Sequence, residues 1–83
     1  MAYVYILFSE TLNKYYIEST EGLIEERLRK HLSDHKGYTG KAKDWKVVFA
    51  ELLPDKHQAL IRVKQIKSWK SRNMLEKLIS GTL

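Results

Sequence analysis

Three short segments rich in aromatic and β-branched residues constrain the fold of this chain most strongly. These segments are residues 3–8, 15–17 and 45–53. Each is typical of a β-strand, and the polar residues 9–14 between the first two predict a hairpin with a longer loop. Pro54 is expected to end the third strand, because proline cannot donate to a strand ladder. A chain of 83 residues leaves room for one domain, residues 1–83, with one small core.

Apolar residues recur at helical spacing in the rest of the sequence and predict three helices. The first helix is expected from about Leu23 to about His35. The residues expected to cap or end the helices are Ser19 or Thr20, Gly37, Asp55 with Gln58, Ser71 and Gly81. The apolar side of the second helix is expected to hold Ala59, Leu60, Val63, Ile66 and Trp69. The order β-β-α-β-α-α predicts an α+β domain, with the helices on one side of the sheet.

The charge of the chain indicates one class of partner. A formal net charge of +5 and a pI of about 9.5 favour contact with polyanions, of which nucleic acid is the commonest. The absence of cysteine excludes disulfides, thiolate zinc sites and cysteine nucleophiles, and agrees with a cytoplasmic location. No apolar run approaches the roughly 20 residues of a membrane span. The first residues are expected to form a strand and not a signal peptide.

Several motifs occur in the order of a known family. Tyr3-Val4-Tyr5, then Tyr16-Ile17, then Arg27 and His31 on the first helix resemble the GIY-YIG endonuclease superfamily. The blocks that resemble its small single-domain bacterial branch are residues 37–39, Asp44-Trp45, Phe49-Ala50-Glu51 and residues 65–72. The resemblance covers nearly the whole chain. It implies a small three-stranded antiparallel sheet flanked by helices. It also implies hydrolysis of phosphodiester bonds with Mg²⁺ or Mn²⁺, and a protein partner or a homodimer that selects the target.

The resemblance assigns catalytic roles to four residues. Tyr5 and Tyr16 match the two motif tyrosines, Arg27 matches the helix arginine, and His31 matches a polar residue one turn later. Hydrolysis of a phosphodiester needs a base for the water and a cation for the developing charge, and arginine offers phosphate a bidentate fork. Taken singly, the tyrosines also suit packing positions, and Arg27 and His31 also suit the solvated border of a helix.

Basic and aromatic residues further along the chain are expected to bind nucleic acid, with DNA favoured over RNA. The candidates are Tyr38, Lys41, Lys43, Lys67, Lys70 and Arg72. For Tyr38, contact with a ligand and a role without a ligand stay equally open. Trp45 suits either base stacking or the core, whereas Trp69 is expected in the core because it continues an apolar stripe.

Two positions depart from the family pattern. Glu18 replaces the glycine that follows Tyr16-Ile17, which brings bulk and negative charge to the place where a phosphate should lie. Val63 takes the place of the glutamate that binds the metal, and valine cannot ligate a hard cation. The metal ligand is therefore unknown, with Glu18 as a hypothetical substitute and Glu51 and Glu76 as further carboxylates. A zinc site on His31 and His35 lacks a third ligand, because His57 lies at another helix.

Three functions remain open from the sequence. The first is a metal-dependent endonuclease of this family. The second is a nucleic-acid-binding module of the same fold with weak or lost catalysis, whose affinity falls steeply with salt. The third is a small interaction protein whose basic surface serves solubility alone.

Overall fold

The computed structural model describes residues 1–32 and 42–82. Its elements in chain order are β1 (Ala2–Ser9), β2 (Lys14–Thr20), α1 (Ile24–Leu32), β3 (Lys46–Leu53), α2 (Lys56–Ser68) and α3 (Arg72–Ser80). The three strands form one sheet in the order β2-β1-β3, and both pairings are antiparallel. The predicted order β-β-α-β-α-α and the three-stranded antiparallel sheet are confirmed. In the described residues, no helix has the length and apolar character needed to span a bilayer.

The central strand β1 has helices against both of its faces. On one face, here called the α2 face, Ala2 and Val4 pack with Val63 and its apolar neighbours on α2. On the opposite face, the α1 face, Tyr5 and Leu7 pack with apolar residues of α1. The expectation that the helices lie on one side is therefore wrong. Successive residues of β1 are apolar and point to opposite faces, so both faces need cover.

The predicted caps of α2 and α3 are confirmed. Asp55 Oδ1 accepts a hydrogen bond from the Gln58 amide at 2.8 Å, and the Ser71 hydroxyl accepts one from the Met74 amide at 3.3 Å. Gly81 ends α3 with φ of 80°, a conformation that glycine adopts without a steric penalty. Both tryptophans contribute to packing. Trp45 is buried, and Trp69 packs against the core of the α2 face.

The predicted N-cap of α1 is wrong, although the helix begins within one residue of the predicted Leu23. Ser19 and Thr20 lie in β2, and the helix begins at Ile24. The Thr20 hydroxyl instead accepts a hydrogen bond from the Gly22 amide at 3.0 Å, which forms a local turn that competes with capping. The predicted last residues of this helix, 33–35, and its expected stop Gly37 lie outside the described residues.

Asp44 ties the hairpin loop to the segment that precedes β3. Its Oδ1 accepts from the Ser9 hydroxyl at 2.6 Å, and its Oδ2 accepts from the Thr11 amide and hydroxyl, both at 2.9 Å. These donors favour the ionised carboxylate. The hydrogen bond from Ser9 is the largest cause that lowers the pKa of Asp44 from 3.8 to about 2.

We expect Asp44→Asn to destabilise the protein at neutral pH, because an amide presents a donor where the Thr11 amide needs an acceptor. The folded pKa lies below the usual value, so this stability is present above about pH 4 and is lost as the pH falls toward about 2. The difference in urea midpoint between wild type and variant should shrink over that interval. Asp55→Asn is the control, since asparagine caps a helix as well as aspartate does. If the urea midpoints of wild type and Asp44→Asn differ as much at pH 2 as at pH 7, this prediction is contradicted.

Candidate active site

Tyr5 and His31 form a buried polar pair on the α1 face of the sheet. The Tyr5 hydroxyl lies 3.1 Å from His31 Nε2, and the two residues are 0% and 7% exposed. Tyr5 comes from the central strand and His31 from the last turn of α1. A hydroxyl and an imidazole at this distance form a hydrogen bond, and the histidine tautomer sets which of them donates. The structure therefore brings together these two residues of the predicted site.

Tyr16 lies beside this pair on the neighbouring strand. It is paired with Leu7 across the β1–β2 ladder, and its ring meets the His31 ring edge-on with centroids 5.0 Å apart. A second edge contact to Trp45, at 6.4 Å between centroids, packs the ring from another side. The Tyr16 hydroxyl donates to Glu18 Oε2 at 3.3 Å. Tyr5 and Tyr16 thus both contact His31.

Arg27 supplies the positive charge of this cluster. It lies one helical turn before His31 on α1, so the two side chains share a helix face. Burial raises the pKa of the Tyr5 hydroxyl above 10.0, and the polar contact and charge of Arg27 oppose that rise. The Nε atom of Arg27 is buried and has no hydrogen-bond partner among the described residues. A buried donor without a partner is costly, so this atom suits an incoming acceptor such as a phosphate oxygen.

A small hollow next to Arg27 opens toward the start of α2. Its volume is about 210 Å³, and its lining residues are Ala2, Ser19, Thr20, Glu21, Arg27 and Lys56. The hollow brings a second cation, Lys56, close to Arg27. Lys56 was not predicted as a site residue, and no sequence signal marks it. Only the packing of α2 on β1 brings it near Arg27.

Glu18 is part of the same cluster. It lies opposite Tyr5 in the β1–β2 register, so both side chains are on the α1 face. Its Oε1 accepts from the Ser19 amide at 3.1 Å, and its Oε2 accepts from Tyr16. Burial is the largest cause that raises the pKa of Tyr16, and the negative charge of Glu18 is the second. Glu18 therefore brings a carboxylate into the cluster.

Val63 lies on the α2 face, away from the two tyrosines. It is 5% exposed and packs with Val4, Ala59 and Ile66. This is the packing role that the apolar stripe of α2 predicted. Glu51 and Glu76 are engaged elsewhere, Glu51 in an ion pair with Arg62 at 2.8 Å and Glu76 in one with Arg72 at 3.2 Å.

The donor set of this cluster does not fit a complete site for a divalent cation. Within residues 1–32 and 42–82, no group of three His, Cys, Asp or Glu side chains is suited to hold a metal ion. Glu18 contributes a carboxylate to the cluster, but both of its oxygens already accept hydrogen bonds. His57 is exposed at the start of α2, and His35 of the histidine pair lies outside the described residues.

The predicted nucleic-acid-binding residues fall in different places. Lys67, Lys70 and Arg72 border a groove between β2 and the turn from α2 to α3. Lys43 is exposed beside Asp44, and Tyr38 and Lys41 lie outside the described residues. Arg72 donates to the Asn13 carbonyl at 3.0 Å and to Asn13 Oδ1 at 2.7 Å, so its guanidinium fastens the hairpin to α3.

Comparison with known proteins agrees with this arrangement. A search of curated proteins and a search of solved structures give no match. The family model described as the GIY-YIG catalytic domain matches residues 1–77, which is most of the chain. That match includes both strands of the tyrosine motifs, all of α1 and all of α2. The chain belongs to the GIY-YIG family, whose domain supports a nuclease-type function with nucleic acid as its substrate.

Proposed function

We propose that this chain hydrolyses phosphodiester bonds of nucleic acid at the cluster of Tyr5, Arg27 and His31. The observation that carries the proposal is the buried contact of the Tyr5 hydroxyl with His31 Nε2, beside the Arg27 guanidinium, whose Nε has no hydrogen-bond partner among the described residues. The Tyr5–His31 pair, which accepts a proton, and the Arg27 guanidinium, which binds a negatively charged phosphate, then lie on the same face of the sheet. These are the two functions that phosphodiester hydrolysis requires of side chains.

The chemistry assigned to the side chains is a coupled proton transfer. Tyr5 is protonated at neutral pH, since its pKa lies above 10.0 because of burial. Neutral His31 takes the hydroxyl proton through Nε2 while the tyrosine oxygen takes a proton from water. The water oxygen then bonds to phosphorus, the bond to the leaving oxygen breaks, and the leaving oxygen takes a proton from His31 or solvent. Arg27 holds the phosphate and offsets the charge that develops on it.

Metal dependence is part of the proposal and rests on the family. Mg²⁺ and Mn²⁺ prefer oxygen ligands, and Glu18 is the described carboxylate directed into this cluster. The described donor set does not form a complete site for such an ion. DNA as the preferred substrate, a targeting partner or homodimer, and a cytoplasmic location are proposals of the same kind.

Glu18 also supports a second candidate, a nucleic-acid-binding module that does not cut. Its carboxylate lies on the same face as Tyr5 and makes a hydrogen bond with Tyr16. A fixed negative charge there opposes a phosphate at the reacting position. Val63 adds no oxygen ligand, because it is buried in the opposite core. A binding module still needs the basic surface. It does not need an uncharged position 18 or an oxygen ligand at position 63.

The two candidates are separated by one experiment. The purified chain is incubated with labelled single-stranded, duplex and branched DNA and with RNA, each with Mg²⁺, Mn²⁺ or chelator. Cleavage that chelator stops is the result expected for the nuclease. Salt-sensitive binding without cleavage would favour the binding module, because counterion release drives such binding. The absence of both binding and cleavage would contradict both candidates.

A further inference from the structure

A groove runs along the free edge of the sheet, beside β2. Its volume is about 520 Å³, and five consecutive residues, 13–17, contribute to its lining. Side chains of successive strand residues point to opposite faces, so a groove that touches all five follows the outer edge of the strand. In the described sheet β2 pairs with β1 alone. Its outer edge therefore presents backbone donors and acceptors that another strand can use.

The walls of this β2 groove combine an apolar floor with a basic rim. Ile17, Ile66 and Leu75 line it with aliphatic side chains that belong to or pack on the core of the α2 face. The exposed lysines of the rim are Lys14, Lys67 and Lys70. No acidic residue is among the described residues that line the groove. The groove therefore suits a ligand with an apolar centre and acidic flanks.

The aromatic rings at this groove are already engaged. The Tyr15 ring packs on Phe8 with centroids 4.7 Å apart, and the Arg72 guanidinium lies 5.2 Å from the Tyr15 centroid. Tyr16 packs instead on His31 and Trp45 at the α1 face. Binding of single-stranded nucleic acid relies on rings that stack with bases. Without such a ring, the aliphatic floor and the free strand edge favour a peptide over a nucleic-acid strand.

We propose that the β2 groove binds an extended segment of a partner protein, with one or two apolar side chains flanked by aspartate or glutamate. The segment adds to the sheet as a strand antiparallel or parallel to β2, and its backbone hydrogen-bonds to the free edge. Its apolar side chain lies on Ile17, Ile66 and Leu75, and its carboxylates meet the lysines of the rim. This site lies at the edge of the sheet, and its apolar residues Ile17, Ile66 and Leu75 belong to the face opposite Tyr5. Peptide binding there does not depend on phosphodiester chemistry.

A labelled synthetic peptide with a Val-Ile-Val centre between glutamate pairs is the probe. We expect it to shift the backbone amide NMR signals of residues 13–17 and 66–75 and to leave those of α1 unchanged. The double variant Lys67→Glu, Lys70→Glu should weaken peptide binding by about tenfold, since two attractive contacts become repulsive. The matched control, Lys64→Glu with Lys77→Glu, changes net charge equally at exposed helix positions that do not line the groove. It should leave the affinity within about twofold.

Three outcomes would overturn the proposal. The first is the absence of amide shifts for residues 13–17 at millimolar peptide. The second is an equal loss of affinity in the two double variants, which would show non-specific charge attraction. The third comes from a parallel titration with a single-stranded oligothymidylate. The groove is a nucleic-acid surface if the oligonucleotide shifts the amide signals of the groove residues and the peptide does not bind. The Lys67→Glu, Lys70→Glu variant would then abolish the shift caused by the oligonucleotide.

Discussion

Replacing Arg27 by alanine is expected to lower the rate of phosphodiester cleavage by about 100- to 1,000-fold, the usual effect of removing one donor to transition-state charge. The guanidinium lies one turn from His31 on α1 and next to the Tyr5 hydroxyl. Its buried Nε lacks a partner among the described residues and becomes satisfied when a phosphate oxygen binds. The contact with the phosphate strengthens as charge develops, so the variant loses rate more than substrate affinity.

Arg27→Lys is the matched variant for this prediction. Lysine keeps the positive charge but lacks the planar fork that binds two phosphate oxygens. We expect it to recover only part of the lost rate, with a thermal unfolding midpoint close to that of the wild type. Rates are measured under single-turnover conditions with the nucleic acid that the wild type cuts best. Equal rates in the wild type and the alanine variant would remove Arg27 from the active site.

Introducing a carboxylate at position 63 is expected to damage the fold. Val63→Glu should lower the free energy of unfolding by about 3–5 kcal/mol near pH 8, because it buries an uncompensated charge. Val63 is 5% exposed and packs on Val4, which is fully buried, in the core of the α2 face. Tyr5 and Tyr16 belong to the cluster on the other face. The carboxylate would thus lie in an apolar core and not among the tyrosines.

The free energy of unfolding of Val63→Glu is expected to depend on pH. Burial raises the pKa of the introduced carboxyl in the folded state, so the folded state binds more protons than the unfolded one. Stability of the variant should therefore fall as the pH rises from about 5 to about 8. Val63→Ala, the control, should cost about 1–3 kcal/mol at either pH, since it removes only packing. Urea unfolding measures both. A rise in the unfolding midpoint of Val63→Glu on addition of Mg²⁺ would show that this position reaches the active site.

The strands and the later helix caps could be predicted because local sequence determines them. Residues 3–8 are aromatic and aliphatic throughout, and they form the central strand with residues 4–7 fully buried. Asp55 and Ser71 cap helices because a side-chain acceptor precedes an apolar periodic segment at each. The family motif also brought Tyr5, Tyr16, Arg27 and His31 into one hypothesis, and the fold places them on one face of the sheet.

Other features depend on tertiary packing and were not predictable from local patterns. Thr20 has the hydroxyl of a helix cap, yet it pairs with Tyr3 in the sheet and therefore belongs to β2. The place of Lys56 next to Arg27 follows from the packing of α2 against β1. The β2 groove likewise joins residues from the hairpin, α2 and α3. No periodicity in a single segment encodes such contacts between distant elements.

The central claim, that the Tyr5 hydroxyl takes part in phosphodiester cleavage, is tested most directly by Tyr5→Phe. This change removes one oxygen and keeps the buried ring, so the variant should remain folded, with an unfolding midpoint lowered by no more than about 8 °C. The measurement is single-turnover cleavage of the wild type's best substrate by both proteins. We expect the variant to be slower by about a hundredfold. Cleavage by Tyr5→Phe at the wild-type rate would contradict the account.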